Sequence, residues 1–323
     1  MITIDTRPFL KPGTHPIETG RYIIPTKQID GLCNIVETWI QNRTPGGIVH
    51  GRPRIGKSWA VAYLLQELNT KNTIPTFSVQ CRHYKIPGES AFFEDLLRGV
   101  GHMVVYSNKA NLKRDRLNNF LVEKGLLSKT NRVILILDDA QRLHSSHYDW
   151  LMDVYNDLNF SGVFLSIILV GQNELLHQRS AFIAERKAQI IGRFMVHTYH
   201  FEGIKKITDM KACLEAYDIN SEYPSGSGWS FVRYFFPDAY LEGFRLASEA
   251  ENVFTIFKDI QKENRIKKFE IPMQYFSLTI EYVLKKYGIN GLNRLPSIDD
   301  WKKAIISSGY IHAESFQDIL LME

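Results

Sequence analysis

The spacing of apolar and polar positions along the chain predicts strands that alternate with helices over roughly the first 200 residues. Short apolar runs bounded by polar residues indicate buried strands, whereas apolar residues three or four positions apart indicate amphipathic helices. The predicted strands comprise residues 46–50, 74–81, 133–137 and 163–170, and the predicted helices comprise residues 26–42, 57–69, 89–105, 112–127, 147–158 and 179–191. This alternation predicts an α/β fold with a doubly wound parallel sheet.

Helical patterns dominate the rest of the chain, over residues 207–217, 229–235, 241–260 and 273–287. We therefore expect an α/β core at residues 21–203, a smaller helical lid at residues 204–290 and a tail at residues 291–323. Residues 1–20 carry prolines and glycines among polar residues, which predicts an extended N-terminal arm.

The composition, net charge and cysteine content indicate the class of protein to which the chain belongs. Hydrophobic residues make up 44% of the 323 residues and charged residues 23%, which is typical of a soluble globular protein. The net charge of +4 permits nucleic-acid binding without requiring it. Cys33, Cys81 and Cys213 form no CxxC pair, so neither a disulfide framework nor a zinc site is expected. With no signal-like segment and no apolar run long enough to span a bilayer, we expect a cytoplasmic protein without a membrane partner.

Residues 51–58 fit the pattern G-x-x-x-x-G-K-[ST] at every fixed position and lie between a predicted strand and a predicted helix. In such a loop, backbone N–H groups surround phosphate oxygens, Lys57 neutralises the β- and γ-phosphates, and the Ser58 hydroxyl binds Mg²⁺. The alternative is that a loop between a strand and a helix matches this pattern by chance. The two acids described next argue against that alternative. The residues predicted to bind ATP are Gly51, Arg52, Pro53, Arg54, Ile55, Gly56, Lys57, Ser58 and Trp59.

Two adjacent acids, Asp138 and Asp139, follow the apolar strand at residues 133–137. The carboxyl ends of parallel strands form the ligand-binding edge of an α/β sheet. We expect Asp138 to bind Mg²⁺, directly or through water, and Asp139 to polarise the water that attacks ATP. For Asp139 a helix N-cap is the alternative, because Glu is the commoner residue at that position and Asp is one methylene shorter.

These motifs, GRPRIGKS, VILILDDAQRL and LVGQNEL, resemble those of the AAA+ ATPases. Within that superfamily, DDAQ, VGQNEL and IGRF at residues 191–194 resemble the TnsC/TniB/MuB group of transposition regulators, most of all TnsC of Tn-seven-like, CRISPR-associated transposons. The similarity covers roughly residues 20–260. It implies an AAA+ P-loop core followed by a helical lid, and slow, regulatory hydrolysis of ATP.

The resemblance also implies roles for several residues beyond the two motifs. Gln172 or Asn173 corresponds to sensor 1, which holds the attacking water or the γ-phosphate, although an ordinary turn residue is an equal alternative. Arg245 in the lid corresponds to a sensor 2 arginine, against the alternative of an exposed lid arginine. Residues 22–25 correspond to the segment that contacts adenine.

Arg193 corresponds to the arginine that reaches the nucleotide of a neighbouring subunit in AAA+ rings, with Arg186 as the second choice. A guanidinium there would stabilise charge on the transferring phosphoryl group. A solvated surface arginine is the alternative.

Residues 79–129 contain nine lysines and arginines against five acids. In the TnsC-like family this part of the ATPase faces DNA, so its densest cluster is predicted to contact duplex phosphates without reading sequence. The cluster comprises Lys109, Lys113, Arg114 and Arg116. A solvated helix face is the alternative, both here and for a second basic set, which can also serve partner contact: Lys258, Lys262, Arg265, Lys267 and Lys268.

The resemblance implies a protein that oligomerises with ATP into a ring or filament on duplex DNA. Such an assembly would link a TniQ-type target-selection complex to transposase subunits. One alternative is an assembly ATPase of the ExeA type, which would need a membrane anchor or a peptidoglycan-binding module that the sequence does not reveal. Another is a replication initiator or helicase loader, for which residues 271–323 show no clear recognition helix.

Overall fold

The computed structural model describes residues 6–70, 74–106 and 109–320 and divides them into two compact units. The α/β unit comprises Gly31–Pro53 and the described residues from Lys57 to Phe201. The helical unit comprises the described residues up to Asp30, the segment Arg54–Gly56, and the described residues from Glu202 onward. Within these ranges, none of the helices is long and apolar enough to cross a membrane.

A five-stranded parallel sheet forms the centre of the α/β unit, with strand order β2-β3-β4-β1-β5. The strands are β1 (Gly46–His50), β2 (Thr76–Gln80), β3 (Arg132–Asp138), β4 (Phe164–Gly171) and β5 (His197–His200). The predicted parallel sheet and its four predicted strands are confirmed. The strand β5 was not predicted, because its sequence, HTYH, is polar and mostly exposed, as an edge strand allows.

Helices connect these strands, as the doubly wound fold requires. They are α2 (Lys27–Gln41), which begins in the helical unit, α3 (Lys57–Thr70), α4 (Glu89–Gly99), α5 (Ala110–Leu127), α6 (Ser145–Phe160), α7 (Glu174–Ala184) and α8 (Ala188–Ile190). The helix predicted at residues 89–105 is shorter than expected, because Gly101, with a left-handed φ of 76, turns the chain. The single helix predicted at residues 179–191 is interrupted at Arg186, whose φ is 56, and a π-helical turn, Ile191–Met195, follows α8.

The helical unit contains the N-terminal helix α1 (Pro16–Thr19) and the helices α9 (Ile207–Ile219), α10 (Phe231–Phe235), α11 (Pro237–Leu241), α12 (Ala250–Glu263), α13 (Met273–Tyr287), α14 (Ile298–Ser307) and α15 (Tyr310–Leu320). The helix predicted at residues 241–260 is interrupted near Gly243, where φ is 100. Residues predicted as an arm and a tail contribute to the apolar core of this unit, since Ile17, Trp301 and Tyr310 are fully buried there.

Candidate functional site

The G-x-x-x-x-G-K-[ST] motif connects β1 to α3, with Lys57 as the first residue of the helix. The Lys57 Nζ donates to the carbonyl oxygens of Gly51 at 2.8 Å and Arg52 at 2.7 Å. Gly56 has φ 101, a backbone conformation that residues other than glycine rarely adopt. The loop therefore presents a lysine ammonium beside the N-terminus of a helix, which is a favourable place for phosphate groups.

Burial lowers the pKa of Lys57 to about 8, and the carboxylates of Asp138, Asp139 and Glu174 act in the opposite direction. A buried ammonium is unfavourable unless negative charge approaches it. The loop is thus suited to a polyanionic ligand, which would restore the charge of this lysine.

Binding of Mg²⁺-ATP near pH 8 is expected to take up protons from solvent, by less than one proton per site. Burial lowers the pKa of Lys57 to about 8 in the free protein, and bound phosphates would raise that pKa and favour the charged amine. Calorimetric titrations in buffers of different ionisation enthalpy measure this uptake. The variant Lys57→Arg, whose side chain stays charged, is the control, and equal uptake by both proteins would contradict the assignment.

Ser58 and Asp138, the two predicted Mg²⁺ ligands, lie next to each other. The Ser58 hydroxyl donates to Asp138 Oδ2 at 2.9 Å, and the Asp139 N–H donates to Asp138 Oδ1 at 3.0 Å. Burial raises the pKa of Asp138, while these two hydrogen bonds act to lower it. A hydroxyl and a carboxylate are the hard oxygen donors that Mg²⁺ accepts, together with phosphate oxygens and water, so the residues present fit that ion.

Asp139 is held by polar partners from β2 and from the turn after β3. Its Oδ2 accepts from Gln80 Nε2 at 2.7 Å and lies 3.4 Å from the Arg142 guanidinium, and its Oδ1 accepts from Gln141 Nε2 at 3.1 Å. Asp139 precedes the 3₁₀ helix Ala140–Arg142, but its side chain makes no capping hydrogen bond. The Asp139 carboxylate is therefore part of this polar network and does not cap the helix.

Gln172 and Asn173, the two sensor 1 candidates, directly follow β4, whose Gly171 carbonyl accepts from Gly51 N–H at 3.2 Å. The Gln172 N–H donates to Gln141 Oε1 at 3.1 Å. Asn173 Oδ1 lies 3.0 Å from His50 Nδ1, at the end of β1. Both candidates lie at the edge of the sheet that carries the phosphate loop, and the choice between them stays open.

Arg193 lies on the π-helical turn. Its guanidinium donates to Asn156 Oδ1 at 3.4 Å and lies 5.3 Å from the centre of the Tyr155 ring. Its carbonyl oxygen approaches Gly46 so closely that a Cβ on this glycine would lie 2.9 Å from it. Gly46 is the first residue of β1, and the phosphate loop follows the last residue of that strand. At about 3.3 Å per strand residue, Gly46 and the start of the loop are separated by roughly 15 Å. Arg193 therefore lies at the edge of the sheet formed by the amino ends of the strands. The phosphate loop of the same chain lies at the opposite edge, formed by their carboxyl ends.

Two further parts of the chain that are predicted to contact the nucleotide, Arg245 and residues 22–25, lie in the helical unit. Both contact other residues of that unit. The Arg245 guanidinium lies 3.5 Å from the centre of the Tyr240 ring and donates to the carbonyl oxygens of Tyr240 at 2.8 Å and Phe244 at 2.6 Å. In the segment at residues 22–25, the Tyr22 hydroxyl donates to a carboxylate oxygen of Glu281 at 3.0 Å. These contacts give both residues structural roles, and their nucleotide roles stay predictions.

Lys113, one of the residues predicted to contact DNA, lies in the interior of the α/β unit. Only 3% of this residue is exposed, and its Nζ donates to Glu94 Oε2 at 2.7 Å and to Ser90 Oγ at 3.0 Å. Leu117 and Leu121, which follow at helical spacing, are also buried, so Lys113 lies on the inner face of α5. Its ammonium joins α5 to α4 and is not accessible to phosphates.

The other three residues of the predicted cluster lie nearer the surface. Arg114 forms an ion pair with Asp153 at 3.2 Å, and Arg116 donates to the carbonyl oxygen of Val104 at 3.2 Å. Lys109 is exposed at the start of α5. Their contacts with DNA stay predictions, and Arg114 would have to exchange a protein carboxylate for a phosphate.

Sequence reasoning missed four polar residues that surround the predicted site: His50, Gln80, Gln141 and Arg142. His50 and Gln80 are the last residues of β1 and β2, and the other two follow β3 closely. Polar residues at the carboxyl ends of neighbouring parallel strands are a usable signal, because those ends meet at one edge of the sheet. The strand order, which pairs them, is not visible in the sequence.

No curated protein is significantly similar in sequence to the chain. Residues 41–178 match the family model described as "AAA domain". The match includes the phosphate loop, Asp138 and Asp139 at the end of β3, and the two sensor 1 candidates.

Solved structures share the fold. The ORC2 protein of Aeropyrum pernix, in ADPNP and ADP complexes, is 13% identical with a TM-score of 0.59, over 91% of this chain and 71% of that one. Drosophila ORC bound to poly(dA/dT) DNA and Cdc6 is 12% identical with a TM-score of 0.50, over 82% of this chain and 39% of that one. The chain therefore has the AAA+ P-loop fold, and the matched segment supports an ATPase.

Proposed function

We propose that this ATPase is a nucleotide-controlled regulator that assembles on duplex DNA when it binds ATP and leaves it after hydrolysis. The position of Arg193, at the opposite sheet edge from its own phosphate loop, is the observation that carries the proposal. An arginine at that distance cannot complete the site of its own chain, but it can complete the site of a second copy packed head to tail. Heterologous packing of this kind generates rings or filaments.

The chemistry divides among a few side chains. Lys57 and the loop N–H groups bind the phosphates, and Ser58 with Asp138 would hold Mg²⁺, which when bound neutralises phosphate charge. Asp139 orients the attacking water and accepts its proton. Arg193 of a neighbouring protomer stabilises the charge that develops on the transferring phosphoryl group.

The biological role that we favour is regulation of transposition, in which the DNA-bound assembly links a target-selection complex of the TniQ type to transposase subunits. The resemblance of the DDAQ, VGQNEL and IGRF motifs to TnsC-type proteins supports this role. Replication initiation is the second candidate, and the fold shared with Drosophila ORC bound to DNA and Cdc6 favours it. Sequence-independent duplex binding with stimulation of a transposase supports the first role, whereas binding to one defined DNA sequence supports the second.

Binding to a random-sequence duplex is expected to need ATP or a non-hydrolysable analogue and to weaken steeply with salt. Each lysine or arginine that neutralises a phosphate contributes about 0.9 to the slope of log affinity against log salt concentration. Fluorescence anisotropy between 50 and 200 mM salt, a range of about fourfold, measures this slope. Lys109→Gln and Arg116→Gln are each expected to reduce it by about 1.

The matched control for this experiment is Lys129→Gln. Lys129 is also exposed, but it lies just past the other end of α5, an 18-residue helix about 27 Å long. Its removal is expected to leave the slope unchanged. Binding that is independent of nucleotide would contradict the proposed regulation, and equal slopes for all variants would exclude this DNA surface.

A further inference from the structure

Gln141 connects Asp139 to the end of β4. Its Nε2 donates to Asp139 Oδ1 at 3.1 Å, while its Oε1 accepts from the Gln172 N–H at 3.1 Å. Only this orientation of the amide satisfies both neighbours, because the reverse would oppose two oxygens at Asp139 and two N–H groups at Gln172. One side chain thus joins the acid proposed to activate water to the segment that carries both sensor 1 candidates.

The surroundings of Gln141 hold its amide in place. A Cβ on Gly171 would lie 2.2 Å from Gln141 Oε1, so a larger residue there would displace the Gln141 amide from this position. The Gln141 carbonyl accepts from Gln178 Nε2 at 2.8 Å, and Gln178 Oε1 in turn accepts from the buried Tyr148 hydroxyl at 3.0 Å. The backbone of Gln141 is therefore connected to α7 and α6, and its side-chain amide is held by the hydrogen bonds to Asp139 and Gln172.

The hydrogen bonds to Asp139 leave one direction free for water. A carboxylate offers about four lone-pair sites. Gln80 and Arg142 approach Oδ2, and Gln141 approaches Oδ1, so one site on Oδ1 is left among these contacts. Gln141 is the partner of the oxygen that carries this remaining site, so together with Gln80 and Arg142 it sets where the site points.

We propose that Gln141 is a positioning residue for ATP hydrolysis, which fixes the orientation of the Asp139 carboxylate relative to the end of β4. This inference rests on the proposed role of Asp139 in activating water. An amide suits the task because it donates to one neighbour and accepts from the other without adding charge. A displacement of the β4 end, where Gln172 and Asn173 lie, would move Asp139 through the same side chain.

The first test compares Gln141→Leu with the unaltered protein in steady-state hydrolysis of Mg²⁺-ATP. Loss of orientation is expected to lower kcat on the order of tenfold. The KM for ATP and the Kd for a non-hydrolysable analogue are expected to stay within about twofold, because Gln141 contacts no residue of the phosphate loop in its described interactions. An equal loss of nucleotide affinity would assign Gln141 a merely structural role and overturn the proposal.

Gln141→Glu is the second variant, and its readout is again the split between kcat and nucleotide affinity. Glu keeps an acceptor for the Gln172 N–H but loses the amide N–H that donates to Asp139. It is expected to lower kcat on the order of tenfold and to leave the Kd for a non-hydrolysable analogue within about twofold. An unchanged kcat would overturn the proposal, and this variant also tests it should Gln141→Leu fold poorly. Gln41→Leu and Gln41→Glu, at an exposed position at the end of α2, are the matched controls.

A double variant separates this inference from the role of Asp139 itself. If Gln141 acts through Asp139, adding Gln141→Leu to Asp139→Asn is expected to lower kcat no further. A further tenfold loss in that background would overturn the positioning role alone. By contrast, full activity of the single variant Asp139→Asn would show that the proposed role of Asp139 is wrong, whatever Gln141 does.

Discussion

Replacing Lys57 with alanine is expected to weaken binding of Mg²⁺-ATP by about 10- to 100-fold and to abolish ATP-dependent assembly on duplex DNA. The carbonyl oxygens of Gly51 and Arg52 hold the lysine ammonium at the phosphate loop. Its charge is partly buried there, so an electrostatic contact with phosphate is stronger than it would be in water. Calorimetry with a non-hydrolysable analogue measures the affinity, and electron micrographs with duplex DNA report the assembly.

Loss of folding would not explain this result. Partial burial lowers the pKa of Lys57 and so disfavours its charged form in the free protein, which means that its removal takes away an unfavourable charge. The melting temperature of the nucleotide-free variant is therefore expected to stay close to that of the unaltered protein. Lys57→Arg, which keeps a positive charge, serves as the control for charge alone. Normal ATP-dependent assembly by the alanine variant would refute nucleotide control.

Replacing Arg193 with alanine is expected to lower ATP turnover by the assembled protein by at least about 100-fold. A loss of this size is expected when an arginine that acts on the nucleotide of a neighbouring subunit is removed. The affinity of a single protomer for ATP is expected to be unchanged, because Arg193 lies at the opposite sheet edge from its own phosphate loop. Turnover in the presence of duplex DNA and calorimetry in its absence test the two halves of this prediction. Arg186→Ala, the second choice from sequence, is the matched control.

Mixing two inactive variants tests whether Arg193 acts on a neighbour. A protomer with Arg193→Ala retains Asp139, and a protomer with Asp139→Asn retains Arg193. In an equimolar mixture that assembles at random, about a quarter of the head-to-tail interfaces would combine both intact residues and hydrolyse ATP. No recovery of activity would contradict the completion of one site by another copy.

The sequence was informative wherever chemistry and local pattern coincide. The phosphate loop needs fixed glycines, a lysine and a hydroxyl between a strand and a helix, and Asp138 follows an uninterrupted apolar strand. These features depend on neighbours in the chain, so residue order is enough to predict them. The parallel sheet was predictable for the same reason, because four of its strands are apolar runs between helical segments.

Features that depend on distant neighbours were missed or misplaced. Lys113 looked like part of a basic surface, but the helix pairing of α4 with α5 buries it against Glu94. The strand β5 has no apolar pattern and exists because it pairs with β1. The role of Gln141 could not be inferred either, since its partner Gln172 lies 31 residues away on another strand end.

The backbone of Asp139 has a consequence for the choice of acid at this position. With φ 54 and ψ 37 it occupies the left-handed region, which costs most side chains roughly 1 kcal/mol but which Asp and Asn visit more readily. The shorter acid is therefore matched to its turn, and the greater reach of glutamate would come with backbone strain. Substitution of glutamate for Asp139 is thus disfavoured by the geometry of the main chain, independently of the chemistry of the carboxylate.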